Sequence, residues 1–347
     1  MTKRDMDSKQ LLNNLFDGKD LTSKEAEFLL EKIIRGELTS SQVAGFLIGL
    51  RTKGETVEEI VGLIKGMRKH MIEVRSAKFE VRSSIDVCGT GGDGVGAFNI
   101  STAVAFVVAA CGINVAKHGN RAASSKCGSA DVLEALGVHI MVTPQQAAEV
   151  LQKVGMVFLF APLFHPAMKQ IAPIRKKLGV RTVFNFLGPF LNPAGVKRQL
   201  IGVPNGAIAK KLAQVAAKLD YEHTMIIASK DGMDEISLSA PTHIFEVKGK
   251  KITSKIVTSS QFGIKRASLS TIAGGDAARN SAIIVEILAG KKSPYRDIVV
   301  LNSAFALYVA GKVKTPKAGI VVAQEAIDSG TAMQTLEKLI KETKKYA

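Results

Sequence analysis

The sequence contains no tryptophan, and aromatic residues make up only 5% of its 347 positions. Proteins that grip nucleic acid stack bases on aromatic rings set among basic residues, and that equipment is sparse here. Cysteine is scarce too: Cys88, Cys111 and Cys127 are odd in number and lack the paired spacing of a metal site, which fits a reducing cytosol. No apolar run approaches the length that spans a membrane; Ala103 to Cys111 is far too short. The charged start MTKRDMDSKQ leads straight into an amphipathic pattern, unlike a secretory signal. Acidic residues are also in deficit, 31 against 47 basic ones, for a formal charge of +16. Most of such an excess is ordinarily general surface charge without a partner; the remainder draws in a polyanionic substrate or contacts a polyanion such as nucleic acid. What the chain does have is a core: with 46% hydrophobic residues it can build two domains or one large one without staples.

The first seventy or so residues read as a small helical unit. An apolar stripe of Leu11, Leu12, Leu15 and Phe16 closes at Gly18, and three Thr-led capping boxes follow, Thr22/Glu25, Thr39/Gln42 and Thr56/Glu59, each with an apolar stripe behind it. From about Ser84 the pattern changes to alternating strand, loop and helix, which predicts a mainly parallel α/β sheet flanked by helices. Strands are expected at 84–88, 113–116, 138–141, 156–160, 199–203 and 224–228, with another beginning at 236–238. A hairpin is expected at 243–257, helices over 130–136, 144–154 and 208–219, and helical structure from about Asp276 onward. Between them, His165 to Leu178 alternates apolar and basic residues at helical spacing and is short of strands, so it is expected to cross back onto the N-terminal helices as a hinge.

The rest of the chain is organised around residues 86–137. After the first strand come five glycines between Gly89 and Gly96, then a helix start near Ser101. Glycines let backbone amides turn toward one point, and a helix N-terminus adds its own amides and positive dipole end, so the expected product is an anion cradle. A second polar loop, from Lys117-His118-Gly119-Asn120-Arg121 through Ser124, Ser125 and Lys126 to Ser129, follows the next strand. Loops after neighbouring strands meet at one end of an open α/β sheet, where ligands bind. The literal GxGxxG match of 89–94 also suggests a dinucleotide, but that fingerprint needs an acidic residue about twenty positions on, and residues 109–117 read AACGINVAK. No Walker sequence is present. Asp234-Glu235, after a strand, is the best metal candidate, suited to two magnesium ions flanking a pyrophosphate or else a solvated turn. Asn99, Ser101 and Thr102 either cap their helix or bind an anion; His118, His165 and Arg175 either pack and solvate or bind.

Taken together, GTGGDG (89–94), FNIST (98–102), KHGNRAASSKCGSADVLEALG (117–137), HPAMK (165–169), RTVFNFLGP (181–189) with NP (192–193), KRQLIGV (197–203) and DGMDEISL (231–238) resemble the anthranilate phosphoribosyltransferase family. The matches keep order and spacing through most of the chain. The resemblance implies a small helical domain over 1–74, joined by a returning segment at about 165–198, and a large α/β domain over 75–164 and 199–347. It implies a cytoplasmic homodimer formed through the helical domains, and a place in tryptophan synthesis. Carried over by residue, Gly89, Gly92, Asp93, Asn99, Ile100, Ser101, Thr102, Lys117, Ser125 and Ser129 would hold phosphoribosyl pyrophosphate. Gly89, Asn120, His165 and Arg175 would contact anthranilate, and Ser101, Asp234 and Glu235 would hold magnesium, two ions being expected. Lys117 and His118 would support the transition state. The family usually has Thr at Ala97 and often Ser at Cys127, so phosphate contacts differ in detail there and Cys127 brings an expected sensitivity to oxidation.

The implied chemistry needs no strong base. The aromatic amine of anthranilate is neutral near pH 7 and can attack C1 of the ribose as pyrophosphate departs through an oxocarbenium-like transition state. Closure of the helical domain would keep water from C1. Two other readings compete. A pyrimidine nucleoside phosphorylase would need an extra C-terminal domain, and a nucleic-acid-binding relative would be expected to have lost the KHGNR and DE motifs, which are intact.

Overall fold

Four helices open the chain: α1 (Ser8–Phe16), α2 (Ser23–Ile34), α3 (Ser40–Lys53) and α4 (Val57–Lys69). They are seen in a computed structural model that describes residues 6–92, 94–122 and 126–347. Three of them start as the sequence predicts. The hydroxyls of Thr22, Thr39 and Thr56 accept the amides of Glu25, Gln42 and Glu59, whose side chains reach back to the threonine N–H. Each box pairs two donors that a helix start otherwise leaves unsatisfied. Glu59 does more, because it is fully buried and also accepts from the Leu21 N–H at 2.9 Å and from Lys53 Nζ at 3.1 Å.

The elements that follow are β1 (Ile85–Gly89), α5 (Ile100–Ala110), β2 (Val115–Gly119), α6 (Ser129–Ala135), α7 (Pro144–Val154) and β3 (Met156–Phe160). Next come α8 (Ala161–Phe164), α9 (Met168–Leu178), α10 (Phe184–Leu187), β4 (Arg198–Gly202), α11 (Gly206–Lys218) and β5 (His223–Ser229). The chain ends with β6 (Thr242–Lys248), β7 (Lys251–Val257), α12 (Ala277–Leu288), α13 (Pro294–Val309), α14 (Pro316–Asp328) and α15 (Thr331–Thr343).

Contacts divide the chain into two compact units. The helical unit is Met1–Ile72 with Phe164–Leu191. Within it α2 packs on α4, and α9 lies on α2 and α3. Gly62 permits the first of these contacts, since a Cβ there would sit 2.2 Å from Ser23 O. The returning segment is tied in by Arg51 Nη1 donating to Arg181 O at 2.7 Å and Arg68 Nε donating to Phe190 O at 2.9 Å.

The α/β unit is Glu73–Leu163 with Asn192–Ala347. Its seven strands run in the order β3-β2-β1-β4-β5-β6-β7. The first five are parallel, and β6 and β7 add an antiparallel hairpin in which Lys248 faces Lys251. β3 and β5 are buried along their whole length, as parallel strands covered on both faces are. α5, almost wholly apolar, packs on β1, β2 and β3 and on α13 and α15, while α11 covers β5, β6 and β7. Strand order reverses between β1 and β4, the position at which open α/β sheets bind ligands beyond their carboxyl ends.

Four details differ from the sequence expectation. The returning helical segment ends at Leu191, because Asn192 Nδ2 donates to Asp86 Oδ2 and to Ala116 O, both at 2.8 Å, and thereby joins the sheet. β2 begins and ends later than expected, so Lys117 and His118 are strand residues. Residues 138–141 alternate buried and exposed but form no strand; the His139 N–H goes to Thr343 Oγ1 at 3.2 Å instead of to a neighbouring strand. Residues 236–238 form none either, for a reason given below.

Candidate active site

Beyond Gly89 the chain turns through Gly91, Gly92, Gly94 and Gly96, with φ values of +67°, +71°, +71° and +72°. Residues with a Cβ take such angles only under strain, so the glycine richness of this loop is a backbone requirement. The loop is framed on both sides. The Thr90 N–H bonds to Gly202 O at 2.9 Å, while the Gly274 N–H bonds to Gly96 O at 2.9 Å beside a short bridge between Ala97 and Ala273. The Phe98 ring meets the Tyr295 ring edge to face at 5.2 Å, and Tyr295 OH donates to Ala273 O at 2.8 Å. Ala97, the position where the family usually has Thr, therefore uses its backbone to frame the loop.

The loop delivers the chain to α5, whose N-cap residue, Asn99, makes no side-chain capping bond. Its amide instead donates to Cys127 O at 3.2 Å and accepts from Asn280 Nδ2 at 2.9 Å. The capping role considered for Asn99 is thus absent, and the N-terminus of α5, with Ile100, Ser101 and Thr102 in its first turn, faces the loop without a side-chain cap. Thr90 Oγ1 and Thr102 Oγ1 are buried without a hydrogen-bond partner among the described residues.

Lys117 joins the two loops. It is 2% exposed, and its Nζ donates to Val87 O at 2.6 Å and to Ser101 Oγ at 3.1 Å. An opposite charge that interacts with it is Asp86, buried on β1, which accepts from Asn192, from Gln199 Nε2 at 3.3 Å and from the His118 N–H at 3.3 Å. Burial raises the Asp86 carboxyl above its ordinary range, and Lys117 works against that rise. An ammonium taken out of water with no contacting carboxylate among the described residues is costly, several kcal/mol in general, so its place at the mouth of the cradle is not explained by stability. His118, also buried, follows it on β2.

The acidic pair arrives from β5. The Gly91 N–H donates to Asp234 Oδ2 at 3.1 Å, and Asp234 comes so close to β1 and β4 that a Cβ on Gly89 would lie 2.2 Å from its Oδ2 and one on Gly202 1.5 Å from its main-chain oxygen. Its neighbours are pinned. Ser229 Oγ donates to Glu235 O at 2.7 Å, and the amide of Asn302, fully buried on α13, accepts the Ile236 N–H at 2.9 Å and donates to Ile236 O at 3.0 Å. Asn302 thus supplies the partners a neighbouring strand would have supplied, which is why 236–238 forms no strand. Ser237 Oγ donates to Asp231 Oδ2 at 2.6 Å within the same loop. Among the described residues no group of three His, Cys, Asp or Glu side chains forms a metal cage. Two adjacent carboxylates are nonetheless a donor set of the kind magnesium takes, because that ion is commonly held by one or two carboxylates completed by substrate phosphate and water.

In the second loop, Asn120 Oδ1 accepts the Arg121 N–H at 2.8 Å, and Ser129 Oγ donates to Asn120 O at 3.3 Å. Arg121 is turned outward and pairs with Asp131 at 3.1 Å and Glu134 at 2.5 Å, so it holds α6. Cys127 is buried, and burial raises its thiol above the usual range; the sensitivity to oxidation expected from sequence lacks the thiolate it would need. Gly92 lies in the first loop with its neighbours, whereas Asp93, Ser124 and Ser125 lie outside the described residues.

The remaining two predicted residues belong to the helical unit. His165 is buried, and burial lowers its ring to a pKa of about 4 despite a bond to the Leu191 backbone, so it is neutral at physiological pH. Arg175, on α9, is half-buried; its guanidinium lies 5.5 Å from the Phe184 ring centroid, and Nη2 is 3.5 Å from Asn185 Oδ1. Of the two, only the arginine carries a charge for a carboxylate.

The α/β unit therefore gathers Gly89, Gly92, Asn99, Ile100, Ser101, Thr102, Lys117, His118, Asn120, Ser129 and Asp234 around the ends of β1, β2, β4 and β5. Asn280, Asn302 and Asp86 were not singled out in the sequence. The only signal for the two asparagines is a polar residue at an apolar-face position of a helix.

Comparison with known proteins follows the same division. Residues 82–333 match the model of the glycosyl transferase family α/β domain, and residues 9–71 match that of its helical bundle domain. The anthranilate phosphoribosyltransferase of Geotalea uraniireducens is 43% identical over 346 residues, covering 96% of this chain and 99% of its own. A crystal structure of anthranilate phosphoribosyltransferase from Thermus thermophilus superposes with a TM-score of 0.89 at 37% identity, covering 96% of this chain and 99% of that one. The Saccharomyces cerevisiae enzyme in complex with PRPP and Mg superposes at 0.88 and 29% identity, covering 97% and 98%.

Proposed function

Because the chain belongs to the anthranilate phosphoribosyltransferase family, we propose that it transfers the phosphoribosyl group of 5-phosphoribosyl 1-pyrophosphate to the amine of anthranilate, with release of pyrophosphate, in tryptophan synthesis. The observation that carries the reading is Lys117, a buried ammonium bonded to Ser101 beneath the N-terminus of α5. That arrangement suits the one demand of the reaction the protein must meet, the charge that develops on departing pyrophosphate.

In this reading the glycine loop with Gly89, Gly92 and Asp93, the run Asn99 to Thr102, and Lys117, Ser125 and Ser129 bind the sugar donor and hold C1 open to attack. Lys117 and the α5 amides stabilise the leaving group, and His118 supports the same transition state from the neighbouring strand position. Gly89, Asn120, His165 and Arg175 contact anthranilate; the arginine receives its carboxylate, because a planar guanidinium matches it and His165 is uncharged. Asp234, Glu235 and Ser101 would hold magnesium, which when bound supplies positive charge to the pyrophosphate oxygens. Two ions are expected, a count that calorimetric titration in the presence of donor checks. The amine needs no base to attack, being neutral near pH 7: its nitrogen bonds C1 as the C1–O bond to pyrophosphate breaks, and the strongly acidic anilinium so formed gives its extra proton to water or to the departing pyrophosphate.

The enzyme is expected to act in the cytoplasm as a homodimer formed through the helical unit, where Phe16 is 54% exposed; sedimentation checks the mass. The nucleic-acid-binding alternative is the weaker one, since KHGNR and the Asp234-Glu235 pair are intact. The deciding experiment is the fluorescence assay for phosphoribosyl anthranilate with and without magnesium. Turnover that needs both donor and metal is the expected result; tight, salt-sensitive DNA binding with no turnover would reverse the assignment.

A further inference from the structure

One buried polar side chain of the α/β unit touches three loops of the site and has no role in the steps above. Asn280 sits one turn into α12 and is 2% exposed. Its Oδ1 accepts the Gly275 N–H at 2.7 Å, and its Nδ2 donates to Asn99 Oδ1 at 2.9 Å. The same amide hydrogen-bonds the Cys127 side chain, while Asn99 Nδ2 donates to Cys127 O at 3.2 Å. Together these contacts engage both ends of the Asn280 amide. They come from the segment that frames the glycine loop, from the residue that opens α5, and from the turn that leads into α6.

The pattern fixes more than position. An amide can be placed either way round, but only one orientation of Asn280 satisfies both neighbours, since the reverse sets oxygen against Asn99 Oδ1 and an N–H against the Gly275 N–H. The orientation of Asn280 therefore dictates that of Asn99, whose oxygen must face α12 and whose nitrogen must face Cys127 O. A leucine of similar size would fill the same space without burying two polar atoms, so packing alone does not account for the residue.

We propose that Asn280 is a positioning residue for the sugar-donor site: it presets the Asn99 amide and holds the exit of the glycine loop against the Cys127–Ser129 turn before substrate arrives. The proposal rests on the reading that Asn99 to Thr102 hold phosphoribosyl pyrophosphate. It predicts a defect confined to that substrate. With Asn280→Ala the Asn99 amide loses its reference. Asn280→Asp keeps the acceptor for Gly275 but places a second oxygen against Asn99 Oδ1, which turns the Asn99 amide over and takes its N–H from Cys127.

The test compares wild-type enzyme, Asn280→Ala, Asn280→Asp and, as a control for helix packing, Ile284→Ala, whose side chain is buried one turn further along α12. Steady-state constants for both substrates are measured, with calorimetric binding of phosphoribosyl pyrophosphate and melting temperature. Both Asn280 variants are expected to raise the donor KM and Kd about tenfold, the effect of leaving one buried polar group unsatisfied, while the anthranilate KM stays within about twofold. Ile284→Ala is expected to melt at least as early with donor binding intact. If Asn280→Ala does not fold, Asn280→Asp decides. Unchanged donor binding in both variants, or a parallel loss for both substrates like that of the control, overturns the proposal. A wild-type enzyme that fails to convert anthranilate overturns the functional reading and this proposal with it; an active wild type with unaffected variants overturns this proposal alone.

Discussion

Two glycines touch the same aspartate from different sides, and replacing each with alanine should give opposite outcomes. In Gly202→Ala the new Cβ meets the main-chain oxygen of Asp234 at 1.5 Å and its carbonyl carbon at 2.5 Å. Backbone cannot rotate aside, so the segment must retreat by roughly 2 Å to reach ordinary contact, further than overpacked sites usually tolerate. It is held by the bond from Ser229 Oγ to Glu235 O at 2.7 Å and by the paired bonds of the Asn302 amide to Ile236 at 2.9 and 3.0 Å. Losing two such buried bonds, at about 1–3 kcal/mol each, gives an expected destabilisation of about 4 kcal/mol. In Gly89→Ala the clash is with Asp234 Oδ2 at 2.2 Å, a side-chain atom that can swing away and give up its bond from the Gly91 N–H. That change should cost about 1 kcal/mol of stability but, by moving a proposed magnesium ligand, lower kcat/KM about a hundredfold and raise the magnesium needed for half-maximal rate. Urea unfolding of both variants, with a magnesium titration of activity for Gly89→Ala, tests the pair. A Gly202→Ala protein within about 1 kcal/mol of wild type, or a Gly89→Ala enzyme with the wild-type metal titration, would refute the close approach on which this rests.

Lys117→Met should leave the melting temperature within a few degrees of wild type while lowering kcat/KM about a hundredfold or more; loss of fold with retained activity in the survivors would make the lysine structural. Arg175→Ala should raise the anthranilate KM about tenfold with little change for the sugar donor, and equal effects on both would remove its carboxylate role. Glu246 is held down to a pKa of about 2, first by the His223 hydrogen bond and further by Lys248 and Tyr308. A depressed carboxylate contributes stability above its unfolded value of about 4.5 and loses it as pH falls toward 2. The difference in unfolding free energy between pH 6 and pH 3 should therefore shrink in Glu246→Gln, by about 2 kcal/mol; identical acid slopes would count against the cluster.

Where local chemistry decided the structure, the sequence was a reliable guide. The capping threonines start their helices, α7 and β3 fall at the expected residues because Thr143-Pro144 and Gly155 bound them, and the 248–251 turn joins its hairpin. Reading failed where a partner distant in the chain replaced a local signal. Lys117 looked like loop because a lysine is rarely buried, whereas Val87 O and Ser101 make a strand position tolerable. Residues 236–238 have strand composition, yet their hydrogen bonds go to Asn302, 66 residues away from Ile236. Asn280 reaches Asn99 across 181 residues, a pairing that no window along the chain reveals. The motifs were legible as a set because the family resemblance names them; the residues that brace them were not, since one asparagine in an amphipathic helix gives no signal of what it holds.

β7 is the outer strand of the sheet, exposed along most of its length, and Ile252 and Ile256 stand 38% and 53% exposed on it. An open strand flank is a template on which further molecules can add, and here the deterrent is charge: Lys251 and Lys255 on the strand itself, in a chain of formal charge +16. Repulsion of that kind fades as the screening length contracts from about 10 Å at 0.1 M salt to about 3 Å at 1 M. The protein should keep best in dilute buffer, and concentrated salt should be what first drives it to self-associate along this edge.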